Sequence, residues 1–79
     1  MILPSTGYFN VSWTSIPEAD EYIARINKNN LFWNSFNTTS NSLFLSGFQE
    51  GDSIGGIVYP SKNGNVFPTG IVLSDQSIP

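Results

Sequence analysis

The side chains able to do covalent or acid–base chemistry are few, and they lie in turns. Histidine and cysteine are absent, so the usual bases that activate a serine are missing and a soft metal finds no ligands. The adjacent nucleophile and base, Ser61 and Lys62, belong to Ser61–Asn65, a stretch that reads as a solvated hairpin loop. Carboxylates form two groups, Glu18, Asp20 and Glu21 in one turn, Glu50 and Asp52 in another. Glycoside hydrolysis needs two carboxylates facing across a cleft. A calcium loop needs alternating oxygen ligands closed by a bidentate acid. Glu18-Ala19-Asp20-Glu21 offers neither pattern. Gly47, Gly51, Gly55, Gly56, Gly64 and Gly70 are scattered and none opens a helix, which removes a phosphate cradle of helix N-terminal amides. The expectation is a non-enzyme with no catalytic, cofactor-binding or metal-ligating residue.

Composition points the same way. The chain has 79 residues, a net charge of −3 and only 11% charged residues, against roughly 25% in an average soluble domain. Aromatics reach 14%, and Ser, Thr, Asn and Gly fill the deficit, which argues against disorder. Arg25, Lys28 and Lys62 are the three cations, too few for the basic stripe that nucleic acid requires. No stretch reaches the eighteen or so apolar residues of a membrane span. Met1-Ile2-Leu3-Pro4-Ser5 has neither the basic nor the apolar region of a signal peptide, so synthesis inside a cell without export is expected. The sequons Asn10-Val11-Ser12 and Asn37-Thr38-Thr39 then read as ordinary strand and turn residues.

The elements that hold these residues are short strands. Pro17 to Asp20 reads as a turn, followed by a strand in which Tyr22, Ala24 and Ile26 alternate with Ile23 and Arg25. Phe9, Val11 and Trp13 share one side of Tyr8–Thr14. Leu31-Phe32-Trp33 reads as a short strand between two asparagine-rich turns. Leu43 and Leu45 face one way in Ser42–Ser46, and Phe44 the other. Ser53–Pro60 is a strand, and Asn63-Gly64 is a strong hairpin signal because both residues accept positive φ. Val66–Ser74 is the last strand, with Pro68 marking an edge or bulge. A single domain over residues 1–79 is expected, with its core in 8–74 and a tail at 75–79.

This order of elements resembles a fibronectin type III module, an immunoglobulin-like sandwich. Val11-Ser12-Trp13 resembles that family's second strand, Glu18-Ala19-Asp20-Glu21-Tyr22 the approach to its third, and Leu43–Asp52 the turn between its fifth and sixth. Asn63-Gly64 falls in the loop joining the last two strands. Two positions depart from the pattern: Ile54 stands where the family has a corner tyrosine, and Glu50 where its turn has proline. The resemblance implies an all-β antiparallel sandwich of about six to seven strands, with Val11, Trp13, Tyr22, Leu43, Leu45 and Val58 in the core.

If those residues point inward, alternation turns Ile23, Phe44, Ile57 and Tyr59 outward. Phe32 or Trp33 must join them, since neighbours on a strand face opposite ways. Outward apolar side chains on several strands, with few charges among them, mark a contact with another protein subunit. The expected role is a structural or interaction module without enzymatic activity. By analogy with immunoglobulin-like modules that decorate phage capsids and tails, its expected place is a virion, with capsid or tail proteins or further copies of itself as partners. The alternative is a free-standing adhesin or carbohydrate-binding module at a cell surface, with Trp33, Phe36 and Tyr59 stacking on sugar rings and Asn34 and Asn37 bonding hydroxyls.

Overall fold

The computed structural model describes residues 1–79 as eight β-strands and no helix. The strands are β1 (Ile2–Ser5), β2 (Tyr8–Ser12), β3 (Glu21–Lys28), β4 (Leu31–Thr38), β5 (Ser42–Ser46), β6 (Ser53–Lys62), β7 (Asn65–Val66) and β8 (Ile71–Ser77). All pairing is antiparallel. A smaller sheet has the order β1-β2-β5; a larger one has β4-β3-β6, with β7 and β8 both on the far side of β6.

Alternation along the strands builds one core between the sheets. β2 contributes Phe9, Val11 and, just past its end, Trp13; β5 contributes Leu45; β3 contributes Tyr22, Ala24 and Ile26; and β6 contributes Ile54 and Val58. Leu43 is half-buried at the margin of this cluster. Edge-on packing of Phe9 against Phe48, with centroids 4.9 Å apart, closes the core near the β5–β6 loop. The result is a sandwich-like arrangement in which one face of each sheet is dry.

Two hairpins have two-residue turns. Asn29 and Asn30 (φ 52° and 69°) join β3 to β4, and Asn63 and Gly64 (φ 52° and 82°) join β6 to β7. Positive φ at both central positions twists the chain with the natural twist of the flanking strands.

Four expectations need correction. The expected final strand Val66–Ser74 is two strands, β7 and β8, divided by a bend at Pro68, which brings the count to eight. Residues 75–79 are not a tail: β8 runs to Ser77, and Ile78 is 4% exposed within the core. The segment after Trp33 is not a turn, because β4 continues through Asn34 and Ser35 to Thr38 on the hydrogen-bonding groups of β3. The core also extends before residue 8, since β1 brings in Ile2.

Prolines fall where the ladder has no use for an N–H. Pro4 sits in β1, which pairs only with β2. Pro60 lies past Val58, where β8 has left β6, and before Ser61, where β7 begins.

Candidate interaction surface

Three of the groups suited to chemistry, Ser61, Asp20 and Asp52, are tied into the structure. Ser61 is 2% exposed and its hydroxyl donates to the Glu21 carbonyl at 3.4 Å, so it is buried, not solvated beside Lys62. Asp20 accepts the Asn63 N–H at 3.1 Å, tying the turn before β3 to the β6–β7 hairpin. Asp52 accepts the Gln49 N–H at 2.9 Å and the Asn29 amide at 3.3 Å, with the Lys28 ammonium 3.7 Å away. The Gln49 N–H first, then Asn29 and Lys28, hold its carboxyl below the ordinary aspartate range. This corner pins the β5–β6 loop to the β3–β4 hairpin. No three carboxylates gather into a metal-binding group.

The outer face of the larger sheet is different in character. Register places Ile23, Arg25 and Asn27 of β3 beside Tyr59, Ile57 and Gly55 of β6. Val72 of β8 lies next to Ile57, and Phe32 of β4 next to Asn27. The central row therefore runs Ser35, Arg25, Ile57, Val72 across four strands. Phe32 and Val72 are 57% and 73% exposed. Arg25 holds its guanidinium 5.1 Å from the centre of the Phe32 ring and has no carboxylate within ion-pair distance. Between these side chains lies a shallow groove of about 170 Å³, lined by Arg25, Asn27, Ile57 and Tyr59.

The six residues expected at a partner contact are not one patch. Ile23, Phe32, Ile57 and Tyr59 share this face. Ile57 and Tyr59 are only half-exposed, because Gly70 in the β7–β8 connection packs against both. Phe44, 62% exposed, lies on the outer face of the smaller sheet, its ring 5.1 Å from that of Tyr8. Trp33 turns the other way. Ile26 pairs with Asn34 and Asn27 with Phe32, leaving Trp33 as the extra residue of a bulge. Its ring packs 5.2 Å from Phe48 and 5.9 Å from Phe36. Of the pair Phe32 and Trp33, one of which had to face outward, it is Phe32 that does, and the bulge sends Trp33 to the opposite face.

The sugar-binding constellation does not assemble. Trp33 and Phe36 meet each other, whereas Phe36 pairs with Ala24 and so shares the face of Val58, opposite to Tyr59. Val72, the most exposed apolar side chain of the outer face, was hidden in the sequence by Pro68, which made the register of the last strand unreadable.

The chain matches no protein-family model, and comparison with curated proteins and with solved structures likewise gave no match.

Proposed function

We propose that this chain is a fibronectin type III-like module that performs no catalysis and works as a protein-binding building block of a larger assembly. The sheet orders β1-β2-β5 and β4-β3-β6-β8 support the family reading, since that module pairs its first, second and fifth strands in one sheet. The observation that carries the functional reading is the outer face of the larger sheet. Phe32, Ile23, Ile57 and Val72 form an apolar strip with one unpaired cation, Arg25, at its centre. Aromatic and aliphatic anchors around an arginine are the composition of interface cores. On the resemblance to modules that decorate phage particles, the assembly we propose is a virion.

Separate Phe32→Lys and Val72→Glu variants test this, the first adding a like charge beside Arg25, with thermal melting beside incorporation into the purified particle or oligomer read by mass. Both positions are exposed, so folding should change by less than about 0.5 kcal/mol. Assembly should fail, because a buried unpaired charge costs several kcal/mol. Phe44→Glu, on the other sheet, should assemble normally. Normal assembly of both outer-face variants rejects the reading.

A further inference from the structure

A second surface is the free edge of β4. This strand pairs with β3 on one side and with nothing on the other. It is eight residues long and carries no ionisable side chain and no proline, lacking two of the devices that normally blunt an edge. β5, also at an edge, has only five residues, and β1 contains Pro4. β4 is the longest strand with an open edge, its regular stretch running from Asn34 to Thr38 beyond the bulge at Trp33; β8, the other long edge of that sheet, carries Asp75.

Its backbone groups have a defined direction. Ser35 lies opposite Arg25, but its N–H donates to the side-chain oxygen of its own neighbour, Asn34, at 2.8 Å. In an antiparallel ladder the residues of a strand turn their N–H and C=O alternately to one side and the other. Ser35 and Asn37 therefore offer theirs to the open side, while Asn34 and Phe36 serve β3. The Asn34 amide occupies the central donor of the free edge.

We propose that β4 is a strand-addition site for a second copy of this chain, antiparallel across a two-fold axis, and that Asn34 guards it. A charge-free strand on a chain of net charge −3 is where two copies meet with least repulsion. A two-fold contact of this kind also closes on itself and consumes both free edges. The two Asn34 side chains must swing out for the pairing to form, which keeps the association weak and reversible in the unaltered chain.

Sedimentation across a concentration series tests the proposal, with amide exchange of Ser35 and Asn37 as a local readout. Asn34→Ala releases the Ser35 N–H of each copy, two hydrogen bonds across the two-fold, and should tighten self-association by on the order of thirtyfold. Protection at Ser35 and Asn37 should rise with concentration. Ser35→Pro removes an N–H that β3 does not use, so the protein should fold and stay monomeric. Asn34→Ala that associates no more tightly than the parent overturns the proposal, whether or not Ser35→Pro folds. A folded Ser35→Pro protein that self-associates like the parent overturns it too. Val72→Glu should leave the concentration-dependent protection of Ser35 and Asn37 unchanged, which separates the edge from the outer face.

Discussion

The indole of Trp13 meets the ring of Tyr22 edge-on, with centroids 5.5 Å apart at 65°, and joins the two sheets at one end of the core. The Tyr22 hydroxyl accepts the Ile16 N–H at 2.8 Å, fixing the chain that links β2 to β3. Trp13→Ala should cost roughly 3–5 kcal/mol, most of what holds so small a domain together. Tyr22→Phe removes only the acceptor and should cost about 1 kcal/mol. Denaturant melts of the two variants check the ratio.

Ile78, the penultimate residue, is as buried as Ile2. Its N–H donates to the Asp52 carbonyl and its own carbonyl accepts the Gly51 N–H, at 2.8 and 3.2 Å. Ile78→Ala should therefore cost about 2–5 kcal/mol, while Pro79→Ala should be neutral. Equal melting temperatures for the two would mean that the C-terminus does not dock.

Gly64 has open space around its missing Cβ but a φ of 82°. The constraint there is conformational, not steric. Gly64→Val should destabilise by about 1–3 kcal/mol. Asn63→Gly keeps both the turn and the backbone N–H bonded to Asp20, and should be nearly neutral.

Acid should loosen the corner at Asp52. Its folded pKa lies below the ordinary 3.8, so the stabilisation is complete above that value and is lost as pH falls through the lowered one. Asp52→Asn should be less stable than the parent at neutral pH, and the two should converge at strongly acidic pH. Melting temperatures measured against pH would show the gap closing, and a gap independent of pH would remove the carboxylate from this role.

Much of the sandwich is legible in period-two alternation, with Phe9 and Val11 in β2, Trp13 just past it, and Leu43 and Leu45 in β5, and the β6–β7 hairpin is legible in its turn residues Asn63-Gly64. The misreadings share a physical cause, which is that polar or breaking residues are tolerated wherever a neighbouring strand supplies the structure. Asn34, Ser35 and Asn37 have turn-forming preferences, yet β3 holds them in a strand. Asp75, Gln76 and Ser77 read as a tail. Their register slips by a bulge opposite Gly55, where the Asp75 side chain lies over the glycine in space that a Cβ would need. Gly56 lets the backbone pass against the Arg25 carbonyl, where a Cβ would stand 2.0 Å away. The outer face was legible only as a parity argument, because nothing in the sequence reveals that Gly70 would come to rest on Ile57 and Tyr59.

The strand order also sets the sequence of events in folding. β3 and β4 are joined by two residues and can zip locally, and β6 then docks on β3. β2 must find β5 across the whole of β3 and β4, pairing Val11 with Leu43, and closing that longer loop carries more entropy. The smaller sheet should therefore assemble late and open early. Amide hydrogens of β3 and β6, flanked by strands on both sides, should be the last to exchange.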